Sequence, residues 1–282
     1  MPSQSLNILG VVRNGGTALT ETLGCIERLR QELAESRVII ATNDNTDDTD
    51  RILGDFVAGS NGVDVLTMDG LSATCPDRVD RICHARNEVL GRLFATGPLY
   101  PMTLILDLDG PNTALNSQAV LGAMSRRVPH WDAVFGNPQP SYYDLYALRC
   151  EGWCDEDVWQ RIHSESKPLF FRKRWRQNLL QRLVYDRQYH IPADAPLIPV
   201  KSGFAGLGLY RTDSLDGLRY SSRGDDGGRV CEHVLLHRQM RARGARLFID
   251  PGLTTLAPSE HLGEASGAPL PKHLYGESTS IG

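Results

Sequence analysis

The sequence predicts an α/β fold in which a mainly parallel central sheet is flanked by helices. Two patterns carry that expectation. Short apolar or β-branched runs alternate with amphipathic stretches through the first hundred or so residues, and the run LILDLDG at 104–110 ends in two acids where a strand buried on both faces would stop. The chain is 282 residues long, with 41% hydrophobic and 23% charged residues. That is an ordinary globular composition, large enough for one α/β domain with elaborations.

The first strand is LNILGVV, which runs into the polar turn RNGG; ALTETLGCIERLRQELAE then sets Leu19, Leu23, Ile26, Leu29 and Leu33 on one helical face. The theme repeats with the β-branched run Val38 to Ala41, the polar loop TNDNTDDT and a helix from near Thr49. VDVLTM reads as a third strand, RVDRICHARNEVLGRLFA as a long amphipathic helix, and MTLILDLD as the strand carrying the acids. Strands separated by helices at this spacing pair in parallel through right-handed crossovers. Beyond Asp109 the pattern loosens. DAVFGN and DLYALRC read as short strands around an aromatic loop, FFRKRWRQNLLQRLVYDRQYH as a basic, aromatic-rich helix, and PLIPVKSGFAGLGLYRT as a Gly-rich strand region. CEHVLLHRQMRARG reads as a helix stopped at Gly244, ARLFIDPGL as the last strand, and the Gly-, Ser- and Pro-rich tail from Pro258 as irregular. No internal repeat or linker interrupts the chain.

Composition narrows the function. A net charge of -4 gives no global argument for nucleic-acid binding. Six scattered cysteines in a chain of this size suggest a reducing compartment. The N-terminus has no basic region before its short apolar stretch, and no segment reaches the roughly 18 apolar residues of a membrane span. A cytoplasmic protein is expected. Cys150 and Cys154 have a C-x₃-C spacing without a second pair, so small buried or surface thiols are expected there ahead of structural zinc. His233 and His237 lie one turn apart but lack an evident third ligand. The segment 170–187 gathers Arg172, Lys173, Arg174, Arg176, Arg182 and Arg187 beside Phe170, Phe171 and Trp175. We read it first as a solvated helix face snorkelling over the core, and second as a peripheral contact with anionic lipid at the inner face of a membrane.

Two chemistries suit Asp107 and Asp109. Paired carboxylates can hold Mn²⁺ or Mg²⁺, which in turn grips a diphosphate. Alternatively, in DxDG phosphohydrolases of the haloacid dehalogenase type, the first Asp takes a phosphoryl group. The second chemistry normally opens its domain with the Asp strand, whereas two βα units precede it here and Pro111 follows the glycine. The first accounts for the preceding half: polar loops after two strands would lie under a nucleotide spread across the carboxyl edge of the sheet. A sugar nucleotidyltransferase is a third reading, for which VVRNGGT is a poor triphosphate loop.

The order VRN, TNDNTDDTDRIL, ARNEV, LILDLD resembles the nucleotide-sugar half of GT-A glycosyltransferases, with their D-x-D metal motif. RICHARN, LILDLDG, YYDLYALR, VKSGFAGLGLYR, CEHVLLHRQMRARG and IDPGL are similar, in order and spacing, to the fungal capsule-associated α-1,3-mannosyltransferases and their bacterial relatives, over roughly residues 6 to 255. Those relatives often carry Asn-Asp at the metal strand and Glu-Cys-Cys in the late helix, where this chain has Asp-Leu-Asp and Cys-Glu-His.

The resemblance implies a single GT-A domain over 1–282, with a nucleotide-binding half to about 112, an acceptor half to about 257 and a tail at 258–282. It implies a metal-dependent hexosyltransferase, with GDP-mannose the first donor to test among GDP- and UDP-sugars, acting on a glycan or lipid-linked sugar in surface polysaccharide synthesis. Asp107 and Asp109 would hold the metal, with His261 contributing from beyond the last strand. Arg13, Asn14, Asp44 and Asn45 would contact the nucleotide, and Arg81 and Arg86 its phosphates. Glu232 would face the acceptor, as general base for the attacking hydroxyl in an inverting enzyme or orienting the acceptor or stabilising an oxocarbenium-like centre in a retaining one, while Tyr142, Tyr143, Asp144 and Gly203 would bound the sugar or acceptor. Gly206 and Gly208 would allow close backbone approach to the donor.

Overall fold

The computed structural model describes residues 4–166, 168–264 and 266–275. Its first half alternates β1 (Ser5–Val12), α1 (Gly16–Gln31), β2 (Glu35–Thr42), α2 (Thr49–Gly59), β3 (Val63–Thr67), the single turn α3 (Leu71–Thr74), α4 (Arg78–Ala95) and β4 (Met102–Asp107). Because a helix separates each strand from the next, β1 pairs in parallel with both β2 and β4, and β2 with β3. Alternation along each strand divides the core. Ile8, Ile40, Leu104 and Leu106 pack with Leu19, Leu23 and Ile26 of α1, while Leu9, Ile39 and Ile105 pack with Val89, Leu90 and Leu93 of α4. Each such side chain contributes about 1.5–3 kcal/mol on burial. This two-sided cover is why the strands read as continuous apolar runs. α4 starts where Asp77 accepts hydrogen bonds from the Val79 and Asp80 amides, capping the helix that carries Arg81 and Arg86.

The second half comprises α5 (Ser117–Ser125), β5 (Ala133–Gln139), α6 (Val158–Ser164), α7 (Arg172–Leu183), β6 (Tyr189–His190), β7 (Ile198–Val200), β8 (Leu207–Arg211), α8 (Glu232–Ala242), β9 (Leu247–Leu256) and β10 (Ala268–Pro269). The main sheet has the order β3-β2-β1-β4-β8-β5-β9-β7, and β8 runs antiparallel to both β4 and β5. β6 and β10 form a separate small pair.

Three expectations need correction. DLYALRC is a turn: Asp144 Oδ1 accepts from the Ala147 amide at 3.2 Å and the Leu148 amide donates to the Asp144 carbonyl. Only Arg149 and Cys150 make isolated bridges there, to Ser202 and Cys154. The tail is packed where it is described, with Leu270 and Leu274 buried and short 3₁₀ turns at Ser259–His261 and Lys272–Leu274; its end, 276–282, lies outside the described residues. Gly203, Gly206 and Gly208 approach the protein's own side chains and not a ligand cleft: a Cβ at these positions would meet Phe135, Pro111 and the Tyr210 ring respectively. Burial pushes the Cys150 and Cys154 thiols up to about 12 and about 11, so both stay protonated. Among the described residues no helix is long and apolar enough to cross a membrane.

Candidate active site

β4 delivers the acids. Since successive side chains alternate, Asp107 and Asp109 share one side, while Leu108 between them is fully buried in the opposite core. Leu108 fills the space beside Gly10 of β1, where a Cβ would come within 2.6 Å of it. The turn is pinned from β8: the Asp107 amide donates to the Gly206 carbonyl at 2.9 Å, and Asn112 Nδ2 donates to both the Asp107 and Gly206 carbonyls, at 2.8 and 2.7 Å.

Both acids open onto a cleft of about 680 Å³. Arg13, Asn14, Arg81, Arg86, Tyr143, Asp144, Glu232 and His261 line the same cleft. Ten of the expected site residues therefore converge, although they come from six separate stretches of chain.

Arg86 is the cleft's buried cation. It is 5% exposed on α4, its Nη2 donates to Asp107 Oδ1 at 2.9 Å, and its Nε lies 3.8 Å from Glu232 Oε1. Nη1 donates to His233 Nε2, so that ring nitrogen carries the lone pair. The guanidinium lies 4.8 Å from the Phe204 ring centre and 5.7 Å from that of Tyr220. Burial works against the charge, but Asp107 and then Glu232 outweigh it and hold Arg86 above its ordinary value. Burial likewise raises Asp107; Arg86 pulls it down, Asp109, Glu232 and Asp144 push it further up, and the balance is about 7. The next residue acts differently. Asn87 Nδ2 donates to the Tyr220 carbonyl at 3.0 Å and its Oδ1 accepts from the Tyr220 amide at 2.8 Å, clamping that ring beside Arg86.

Glu232, 7% exposed, is the first residue of α8, where the helix dipole favours an anion. His233 stacks on Phe204 with ring centres 3.7 Å apart. One turn on, His237 engages Ser202 Oγ through Nδ1 at 2.9 Å and Tyr210 OH through Nε2 at 3.0 Å. Both imidazoles are thus committed to protein partners, and among the described residues no group of three or more His, Cys, Asp or Glu converges as a ready-made metal cage.

The two loops expected to meet a nucleotide are knitted together. Arg13 Nε donates to the Asp44 carbonyl, the Asn14 amide donates to Asn45 Oδ1, and the Thr46 amide donates to Asn14 Oδ1. Asp44 turns away from the cleft. Its carboxylate accepts from Ser72 Oγ, Asn43 Nδ2 and the Ser72 and Gly70 amides, which hold it well below the usual carboxylate range. Asn45 Nδ2 donates to Thr42 Oγ1 and Asp50. These two residues shape the loop at its base, and neither side chain lines the cleft. Arg81 does line it, although its Nη1 donates to the Cys75 and Pro76 carbonyls.

On the other wall Tyr143 stacks on exposed His261 with an interplanar angle of 11°. Tyr142 and Gly203 are corrected to the core: Tyr142 is fully buried against Trp153, and a Cβ on Gly203 would meet Phe135 and the Tyr142 hydroxyl. Asp144, raised by burial, caps Ala205 and Ala147. Phe204, Tyr220 and His233 were missed as partners of Arg86. Only the basic character of Arg86 and its need for acceptors and ring faces pointed toward them.

The residues present suit a hard divalent cation. Among the described residues the Asp109 carboxylate makes no hydrogen bond or ion pair, the Asp107 carboxylate is engaged only by Arg86, and His261 faces the same space. Mg²⁺ and Mn²⁺ are commonly held by one or two carboxylates plus substrate phosphates, so the absence of a complete protein cage is compatible with that chemistry.

The mixed sheet, with an antiparallel strand set beside the strand that bears the acids, is the fold of the GT-A glycosyltransferases. No family model and no curated protein sequence matches the chain. Solved structures do match. Mannosyltransferase PcManGT from Pyrobaculum calidifontis, in complex with GDP-Man and Mn²⁺, aligns at a TM-score of 0.51 and 15% identity over 90% of this chain and 57% of its own. S. aureus TarS 1-349 in complex with UDP aligns at 0.51 and 12% identity over 92% of this chain and 62% of its own. The chain thus spans about three-fifths of these neighbours.

Proposed function

We propose that the protein is a metal-dependent glycosyltransferase that moves a hexose from a nucleotide sugar to a glycan or lipid-linked sugar, with GDP-mannose the first donor to test. The observation that carries this reading is the convergence of Asp107, Asp109, Arg86 and Glu232 on one cleft at the carboxyl edge of the sheet, bounded on one side by the knitted loops at Arg13–Asn14 and Asn43–Thr46. The neighbours' complexes with GDP-Man and UDP support a nucleotide sugar in that place.

Asp107 and Asp109 would hold Mn²⁺ or Mg²⁺, joined by His261. When bound, such a cation offsets the negative charge on a departing nucleoside diphosphate. Arg86 fixes the Asp107 carboxylate and adds buried positive charge to the same region. Arg13 and Asn14 receive the nucleoside, Arg81 borders the phosphates, and Tyr143 with Asp144 bounds the sugar. Glu232, almost enclosed between Arg86 and the N-terminus of α8, presents a carboxylate to the acceptor hydroxyl. Among the described cleft-lining residues there is no Lys, Ser or Thr, which leaves a phosphohydrolase built on Asp107 without the residues that would complete it.

The test is a thermal-shift panel of UDP, GDP and CDP and their common sugars, with and without Mn²⁺, on wild type and Asp109→Ala. Ligand that binds only the folded state raises the midpoint by mass action. A shift with one sugar nucleotide that needs Mn²⁺ and vanishes in Asp109→Ala is expected. Phosphatase turnover dependent on Asp107, with no nucleotide shift, would overturn the reading.

A further inference from the structure

Three features of one surface segment are unexplained by anything inside the molecule. Leu169, Phe170 and Phe171 stand in a row at 82%, 76% and 84% exposure. Three consecutive large apolar side chains in water are not the scattered exposure common on soluble surfaces. Phe171 is also held at φ 58° and ψ 31°, a left-handed conformation that a bulky residue adopts at a cost, and it caps α7 without a side-chain hydrogen bond. Directly after it, Arg172, Lys173 and Arg174 fill the first turn of α7, with Arg176 following, and all four are exposed. A helix N-terminus carries a partial positive charge, so cations there are set against the dipole, and α7 has no acidic residue in its first turn. Among the described residues none of these four cations is in an ion pair.

Each feature is unfavourable in water, and each is relieved by the same neighbour: a surface with an apolar interior and a negatively charged face. We propose that Leu169–Phe171 and the first turn of α7 dock the protein on a bilayer rich in anionic lipid. The apolar triplet enters the boundary between headgroups and acyl chains, and Arg172, Lys173, Arg174 and Arg176 lie against the headgroups. The far end of the same helix is anchored in the body of the protein, since Leu179 and Leu183 are buried, and the chain that follows lines the cleft through Val184 and Tyr185. Twelve helical residues span about 18 Å. A docked α7 would therefore hold one wall of the cleft at most about that distance above the lipid. Docking itself does not depend on the chemistry proposed for the cleft.

The experiment is co-sedimentation of the full chain with phosphatidylcholine vesicles and with vesicles in which about one-third of the lipid is phosphatidylglycerol. Binding to the anionic vesicles, weakening with added salt and absent on phosphatidylcholine alone, is expected. Each basic residue near the surface is worth roughly fivefold in partitioning, so Lys173→Gln with Arg174→Gln lowers it by about 25-fold. Phe170→Ser with Phe171→Ser abolishes it. All four sites are exposed, so thermal midpoints and any nucleotide-induced shift should match wild type, which separates loss of docking from loss of fold or of the cleft. No partitioning onto anionic vesicles overturns the proposal. So does partitioning that survives both variants, or partitioning that is equal on neutral lipid.

Discussion

At the scale of single residues, Arg86 decides how the site is built. A guanidinium 5% exposed is stable only because Asp107 at 2.9 Å, Glu232 at 3.8 Å, the His233 lone pair and two ring faces surround it. Removing the cation while leaving the acids strands Glu232 in a nearly closed pocket. Arg86→Met is therefore expected to destabilise the protein by about 3–5 kcal/mol, the usual effect of breaking a buried pair from one side. Glu232→Gln should behave differently: its link to Arg86 is long, and Asp107 continues to balance the charge. If Glu232 serves the acceptor, the Gln variant keeps its metal-dependent nucleotide-sugar shift and its midpoint to within about 1 kcal/mol, yet loses turnover by about 10²–10⁴-fold. Urea melts with initial-rate assays distinguish the two variants. Equal destabilisation, or a Gln variant with normal turnover, would count against this division of labour.

At the scale of elements, the site depends on how β8 meets β4. The antiparallel strand enters through Gly206, at φ 83°, whose carbonyl receives the Asp107 amide and Asn112 Nδ2. A Cβ there would lie 2.5 Å from the Pro111 Cβ. Gly206→Ala should thus cost about 2–4 kcal/mol through combined backbone strain and overlap, and should also weaken Mn²⁺-dependent nucleotide binding because Asp107 moves with the turn. The opposite sign is expected on α4. Gly91 is an exposed helical residue, and nothing lies within 4 Å of the Cβ that alanine would add. Gly91→Ala should stabilise the fold by about 0.5–1 kcal/mol. Denaturant midpoints of the two variants moving the same way would contradict this account of where glycine is needed.

At the scale of the whole molecule, the sequence was legible where structure is local. β1 to β4 could be read because each helix and strand shows its own period and both faces of the sheet are covered. The insertion of β8 between β4 and β5 could not, since it depends on pairing between segments about a hundred residues apart. The same limit governs the site. Asp107, Asp109 and Glu232 declared themselves as charges at strand and helix ends and Arg86 as a cation within the helix before the acid-bearing strand, whereas the neighbours Tyr142 and Tyr143 point to core and cleft in an irregular turn whose register no periodicity reveals. His233 met Arg86 across 147 positions.

Those buried contacts set how the fold responds to acid. Burial, then Arg86, hold His237 down to about 3, and the same causes with His237 itself hold His233 well below 6.5. Both are depressed relative to the unfolded chain, so their stabilisation is fully present above about pH 6.5 and is lost as pH falls toward the folded values, because the unfolded state takes up protons that the native state refuses. By about pH 5 His237 has cost about 2 kcal/mol, and His233 acts in the same direction. Asp107 acts in the opposite direction: raised to about 7, it takes up its proton first in the folded state and gains stability over the same window. The wild-type curve should therefore fall less steeply than two histidines alone would dictate. His237→Gln isolates one of them. The variant is less stable near neutrality, having lost packing on Phe135 at 4.6 Å between ring centres, but its disadvantage narrows by about 2 kcal/mol on going from pH 7 to about pH 5. Urea unfolding of both proteins across that range measures the narrowing directly. Parallel curves would mean that His237 is protonated within the fold, and that its bonds to Ser202 and Tyr210 do not keep it neutral.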